Sequence, residues 1–311
     1  MDEELPDQPA ARGPVCAVLV TYHPDHDFPA RLRRILPQVA AAIIVDNGSS
    51  DAGLKMLRGA AADGAAGLIC NLDNLGVAAA LNIGARRAMA EGFTWALLLD
   101  QDTEADHDMV ERLLATHASC PDGDRVAIVG SRFRDTRGQP GEPIRLDSSG
   151  ELWEEVESVI TSGSLLSLPA YAAIGPFREE FFIDYVDTEF CIRARTAGYR
   201  VVQTRRPLMS HTVGAPTAHK LPWATKWTTN HSPDRRYYIA RNNTVLLRER
   251  GTSGGRPWQF KSFVRCYRLI KRIAMYEQDK AAKIHAVWQG WRDGVHGRLG
   301  PRRSARKKTP Q

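Results

Sequence analysis

Residues 95–102 read Trp-Ala-Leu-Leu-Leu-Asp-Gln-Asp, an apolar run that ends on two carboxylates with one amide between them. An unbroken apolar run of this length fits a strand buried on both faces, because a half-exposed strand alternates. The same texture recurs upstream. Val15 to Val20 stops at Thr21-Tyr22-His23-Pro24, and Ala42 to Val45 stops at Asp46-Asn47-Gly48-Ser49-Ser50-Asp51, a cluster of turn formers that also suits a helix cap. Gly67 to Cys70 reads as a weaker strand. Between these runs lie helical stretches, one with Leu32, Ile35, Leu36 and Val39 at helical spacing and one Ala-rich from Val77 to Glu91. Strand and helix in alternation, with continuous apolar strands, predict a parallel sheet covered by helices on both faces, the doubly wound α/β class.

Ligands of such sheets sit beyond the carboxyl ends of the strands. Three polar clusters fall there: Thr21-Tyr22, Asp46-Asn47 and Asp100-Gln101-Asp102. Any α/β protein carries polar loops at that edge, so the argument rests on their convergence from separate strands. Two carboxylates one residue apart suit a hard divalent cation, Mg2+ or Mn2+, whose remaining ligands are phosphate oxygens and water. Asp100, Gln101 and Asp102 are therefore expected to hold the metal and diphosphate of a nucleotide-linked substrate, and the cation to neutralise charge on the leaving group.

The second half has a different texture. Val126 to Val129 reads as a strand, 132–149 as a Gly- and Pro-rich loop, Val159 to Leu166 as a strand interrupted by Gly163, and Pro169 to Ile174 as a helical turn. Phe181 to Glu189 leads into a helix ending near Gly198 and carries a second acidic cluster, Asp184, Asp187 and Glu189. Asp187 reads as a general base for an acceptor hydroxyl, or as an acid stabilising a helix N-terminus. After an apolar and basic strand over 199–204, His211 suits a metal ligand or an ordinary surface position. Arg235 and Arg236, with Tyr237 and Tyr238 behind them, would set cations beside a diphosphate or begin an exposed helix with core tyrosines.

The chain has 311 residues and a net charge of +6. From Arg256 onward fifteen Lys or Arg face three acids, a balance of +12, which leaves −6 on residues 1–255. A folded part that is acidic argues against a nucleic-acid partner. No apolar run is long enough to span a membrane, and the acidic, Pro-rich N-terminus does not resemble a signal peptide. The expected location is the cytoplasm. The five cysteines are scattered and form no zinc or disulfide pattern. In the basic tail, Phe263, Val264, Tyr267, Ile270 and Ala274 form an apolar stripe beside Lys261, Arg265, Arg268 and Arg272. That face either lies on an anionic membrane, peripherally on the inner face, or packs on the catalytic domain. The expected division is a disordered 1–13, a catalytic domain over 14–250, a basic helical appendage over 251–301 and a disordered basic tail over 302–311.

These segments, in chain order, resemble the family 2 glycosyltransferases and their rhamnosyltransferase branch. The resemblance is carried by VTYHP (20–24), IIVDNGSSD (43–51), NLGVAAALNIG (74–84), LLLDQDT (97–103), SGSLL (162–166), FFIDYVDTEFCIRARTAGY (181–199), SHTVGAP (210–216) and NHSPDRRYYIARN (230–242). It implies the GT-A fold, a doubly wound mixed sheet with helices on both faces. It further implies inverting transfer of L-rhamnose from dTDP-β-L-rhamnose to a saccharide or glycolipid acceptor, such as a rhamnolipid precursor or a lipid-linked O-antigen or polysaccharide. Thr21, Tyr22 and Asp46 would contact base and ribose, with Asn74, Gly76 and Asn82 also in the nucleotide-sugar site. Asp100 and Asp102 would hold metal and diphosphate, His211 would add a metal ligand, and Asp187 would be the base. One departure stands out: many family members have Glu-Asp where this chain has Val186-Asp187. Two other classes are weighed against this one. A dinucleotide-dependent oxidoreductase lacks its G-x-G-x-x-G after the first strand, and a non-catalytic nucleotide-sugar-binding module would not need the acids.

Overall fold

The apolar runs become strands, and the stretches at helical spacing become helices. A computed structural model describes residues 15–62, 64, 66–135, 152–211, 217–221, 224–250 and 257–302, with the side chains of 135, 211, 220, 221 and 224–226 outside that description. Strands β1 (Val15–Thr21), β2 (Ala41–Asp46), β3 (Ala66–Cys70) and β4 (Trp95–Asp100) lie parallel in the order β3-β2-β1-β4. Helices α1 (Phe28–Ile35), α2 (Asp51–Ala61) and α3 (Val77–Ala90) make the crossovers. The side chains of β1 divide between two cores. Val15, Ala17 and Leu19 pack with Leu32 and Ile35 of α1, while Cys16, Val18 and Val20 pack with the alanines of α3. Burial on both faces is why β1 does not alternate in sequence.

Beyond β4 the sheet becomes mixed, as the resemblance implies. It is built from β5 (Glu104–Ala105), β6 (Val126–Asp135), β7 (Trp153–Glu155), β8 (Ser164–Ser167) and β9 (Arg200–His211), with α4 (Met109–Ala118), α5 (Leu168–Ile174) and α6 (Val186–Thr196) packed on it. β8 is antiparallel to both β4 and β6, β6 is parallel to β9, and β9 also carries β5 and β7.

Three expectations change here. The strand read over 159–166 begins only at Ser164, because Gly163 turns at φ +75° and its N–H donates to the Leu98 carbonyl at 2.8 Å. Residues 161–163 form a turn instead, which brings Ser162 beside Asp100. The strands read over 126–129 and 199–204 run on to Asp135 and His211, so 132–135 is strand rather than loop; 136–151 lie outside the described residues. Register shifts between β6 and β9 past Gly130 break the alternation that would have revealed these extensions.

The chain continues into a hairpin of β10 (Thr217–Leu221) and β11 (Ala224–Thr228), then α7 (Pro233–Glu249), α8 (Trp258–Tyr276) and α9 (Lys280–Val295). Ser232 caps α7 by accepting from the Arg235 N–H at 3.3 Å, and Pro233 supplies the first turn without a wasted donor. α8 buries Ser262, Cys266 and Ile273, with Leu269 packed beside them against Ala240 of α7 and Val287 of α9. The apolar stripe expected to lie on a membrane or to pack on the domain divides: Ile270 packs against the cluster of Ala240, Cys266 and Val287, and Val264 is half-buried. Phe263 and Tyr267 are exposed, one helical position away from the buried row. Among the described residues no helix is long and apolar enough to cross a membrane.

Candidate active site

A cleft of about 450 Å³ opens where β1 and β4 end and α6 and α7 begin. Thr21 at the end of β1 is fully buried, and its hydroxyl donates to Asp46 Oδ1 at 3.0 Å. Asp46 also accepts from the Ser49 N–H at 2.9 Å and from the Ser49 hydroxyl. Asp46 thus stands behind the cleft wall and fixes the turn after β2, while its neighbour Asn47 forms the wall. Asn47 Nδ2 donates to Asn74 Oδ1 at 3.1 Å, and the Gly76 N–H donates to the same oxygen at 2.9 Å. Gly76 has φ +88°, and a Cβ there would come within 2.6 Å of the Phe182 carbonyl oxygen. That oxygen accepts from the Val77 N–H at 2.7 Å, so the turn before α3 is pressed onto residue 182.

Asn82 stands apart from the other residues expected in the nucleotide-sugar site. It is fully buried and absent from the cleft wall. Its amide donates to the Phe177 carbonyl and Glu179, and its oxygen accepts from the Tyr171 hydroxyl and the Phe177 N–H, all within 2.9 Å. This use of every hydrogen-bonding site makes it a structural clamp.

Asp100 and Asp102 both line the cleft, and Gln101 holds them in place. Its side chain pairs with the Tyr22 backbone in both directions: the Tyr22 N–H donates to Oε1 at 2.7 Å, and Nε2 donates to the Tyr22 carbonyl at 3.2 Å. The Asp100 N–H donates to Ser162 Oγ at 3.1 Å, and that hydroxyl also bonds Thr103 Oγ1. Two carboxylates facing an open cleft fit a divalent cation whose other ligands come from a diphosphate and water. Among the described residues no three His, Cys, Asp or Glu converge as a complete metal cage. The backbone of His211 closes β9 opposite Asp135, and its side chain lies outside the described residues.

The second acidic cluster separates into three jobs. Phe182, Asp184 and Tyr185 all have positive φ, 65°, 64° and 65°, a conformation that costs L residues on the order of 1–3 kcal/mol each. α7 holds them there. Asn242 Nδ2 donates to the carbonyls of Phe181, Ile183 and Asp184 at 3.0, 2.9 and 2.8 Å, and Arg241 Nη2 donates to those of Glu180 and Phe181 at 2.9 and 3.0 Å. Held this way, Asp184 accepts both Nη2 and Nε of Arg235, at 2.7 and 3.3 Å. Arg235 faces the cleft and feels the charges of Asp100 and Asp102 as well.

Asp187, in the first turn of α6, lines the cleft. Burial pushes its carboxyl above the ordinary 3.8, against the Thr188 N–H and hydroxyl that donate to it and with the Asp184 charge adding to the rise. Glu189 is outside the cleft, buried and clasped by Arg193 at 2.8 and 2.9 Å.

Arg236 is likewise not brought to the site. It is buried in an ion-paired group with Glu277, which also binds Lys283 at 3.2 Å. Tyr237 donates to Asp293 at 3.0 Å, and the Tyr238 ring stacks on Phe182 at 5.0 Å, so both tyrosines are core. Of the expected site residues, Thr21, Tyr22, Asn74, Gly76, Asp100, Gln101, Asp102, Asp187 and Arg235 share one cleft. Asn47, Ser162, Asp184 and Tyr185 join them without having been singled out. Asn47 and Asp184 stood inside clusters already read as polar, whereas Ser162 was hidden in an assumed strand.

The sequence profile of Glycosyl transferase family 2 matches residues 16–172, which include β1 to β4 and the Asp100-Asp102 pair. The dTDP-rhamnosyl transferase RfbF of Shigella flexneri is 30% identical, over 76% of this chain and 80% of that protein. Among solved structures, the mannosyltransferase PcManGT of Pyrobaculum calidifontis, in complex with GDP-Man and Mn2+, superposes with a TM-score of 0.57 at 14% identity. The match covers 94% of this chain and 90% of that one. GalNAc-T7 with UDP, GalNAc and Mn2+ gives a TM-score of 0.58 at 14% identity, over 95% of this chain but 57% of that one. At such identities the two structures speak to the fold alone.

Proposed function

Because the chain belongs to glycosyl transferase family 2, we propose that it moves L-rhamnose, with inversion, from dTDP-β-L-rhamnose to a hydroxyl of a saccharide or glycolipid acceptor. The observation that carries this is the shared cleft. Asp100 and Asp102, suited to a metal-bound diphosphate, and Asp187, suited to an acceptor hydroxyl, line the same space. The rhamnosyl donor is supported by the likeness to RfbF. The metal is supported by the Asp100-Asp102 pair, two carboxylates that line the cleft one residue apart.

In this reading Thr21, Tyr22, Asn47 and Asn74 frame the nucleoside, and Gln101 keeps the Asp100-Asp102 turn docked on β1. Mg2+ or Mn2+, held between Asp100, Asp102 and the diphosphate, would supply Lewis-acid stabilisation of the departing dTDP. Arg235, fixed by Asp184, adds a permanent positive charge on the same side. Asp187 takes the proton of the acceptor hydroxyl as that oxygen attacks the anomeric carbon from the face opposite the diphosphate. Burial raises the pKa of Asp187, which makes its ionised form a stronger base than a free carboxylate. The missing acid before Asp187 leaves this role to one carboxylate.

Incubating the protein with a panel of nucleotide sugars and membrane extracts, then measuring nucleotide diphosphate release, tests the donor. Release from dTDP-rhamnose above all others is expected. Release only from a different sugar would retain the transferase class and remove the rhamnosyl assignment.

A further inference from the structure

The helical region leaves one broad face uncovered by other described residues. On α8, Phe260, Phe263 and Tyr267 project at three- and four-residue spacing and are 50%, 43% and 57% exposed; on α9, Trp288 is 43% exposed. Phe263 joins the two helices. The Phe263 ring centre lies 6.2 Å from those of Trp288 and Trp291, and the two tryptophans lie 5.6 Å apart. Large aromatic rings gathered on a surface mark an interaction site, since isolated apolar residues are common but contiguous patches are not.

Beside the aromatic row, Arg265, Arg268, Lys271 and Arg272 are exposed on the same helix. α8 carries five Lys or Arg and no Asp or Glu. Two members of this row reach toward the rest of the chain. Arg272 donates to the Trp227 carbonyl of β11, and the charge of Arg265 acts on Tyr185, which lines the cleft.

From this arrangement we infer that the α8–α9 face docks on an anionic lipid surface, with the aromatic rings in the headgroup boundary and the basic row against lipid phosphates. Tyr and Trp suit that boundary because their rings are apolar at one end and polar at the other. Each basic side chain near such a surface contributes roughly 1 kcal/mol. A second copy of the chain fits the face poorly. A two-fold interface would set this acid-free row against or near itself, and interface cores are depleted in charge. The inference deepens the transferase reading, because a chain docked on a membrane has a lipid-borne acceptor within reach. It does not depend on catalysis.

The test is sedimentation of the full chain with phosphatidylcholine vesicles and with vesicles enriched in phosphatidylglycerol. Binding to the anionic vesicles alone is expected, weakening as salt is raised. The double variant Arg268→Glu/Lys271→Glu should bind more than 10-fold more weakly. Phe263→Ser/Tyr267→Ser should also lose binding while keeping the thermal stability and nucleotide response of the parent. Equal binding to both vesicle types, no binding, or unchanged binding by the charge-reversed variant would overturn the inference. So would a concentration-dependent dimer abolished by Phe263→Ser/Tyr267→Ser, which would assign the face to a second copy. If nucleotide sugars fail to bind while anionic vesicles do, the transferase reading falls and the docking surface stands.

Discussion

Asp187 concentrates the chemistry of the proposed reaction in one carboxyl whose surroundings disfavour its charge. Its pKa is raised chiefly by burial, so the folded state carries a cost once pH exceeds that raised value. The sign follows from linkage. A carboxyl whose folded pKa lies above its unfolded one favours folding at low pH, and that contribution is lost as pH rises through the folded pKa. Asp187→Asn removes the charge and retains an oxygen to accept from the Thr188 N–H. Transfer is expected to fall by about 10²–10⁴-fold, the usual contribution of a general base. The thermal midpoint should rise at neutral pH, and the gain should vanish in acid where the parent is already protonated. A variant that loses stability at neutral pH would show Asp187 to be a structural acid. Arg235 and Asp184 illustrate the complementary case, a cation placed at the site by a neighbour that is itself bound at 2.7 Å.

At the scale of elements, the site depends on the contact between the turn before α3 and the 182–185 segment before α6. Gly76→Ala would force a Cβ against the Phe182 carbonyl at a φ that L residues avoid, and should destabilise the protein by roughly 1–3 kcal/mol. Urea unfolding reads this directly; an unchanged midpoint would mean that the two segments part without cost. These elements also separate what is legible in sequence from what is not. The β4 run and its two acids were legible because burial on both faces leaves an unbroken apolar signature. The positive φ values of Phe182, Asp184 and Tyr185 have no such signature, since none is a glycine; the carbonyl contacts of Asn242 that hold them come from a helix nearly sixty residues away. Asn82 reads like any polar residue in a shared motif, and only its four hydrogen bonds, three of them buried, reveal a clamp. On α8 the two adjoining stripes are both partly apolar, so periodicity alone could not decide that Cys266 and Ile273 face inward and Tyr267 outward.

Across the whole molecule, α7 joins the two halves of the account. One side of it fixes the 181–185 backbone and presents Arg235 to the cleft, and the other packs on α8 and α9, whose outer face is the proposed docking surface. The division into a catalytic domain over 14–250 and an appendage over 251–301 remains our proposal, with α7 packed against both. The central claim is that Asp100 and Asp102 bind a nucleotide diphosphate through a divalent cation in this cleft. Thermal denaturation with dTDP, with and without Mn2+, tests it most directly, because a ligand that binds only the folded state raises the midpoint by mass action. A Mn2+-dependent rise is expected for the parent and for Asp187→Asn, and none for Asp102→Ala. An equal rise in the presence of a chelator, or in Asp102→Ala, would contradict it.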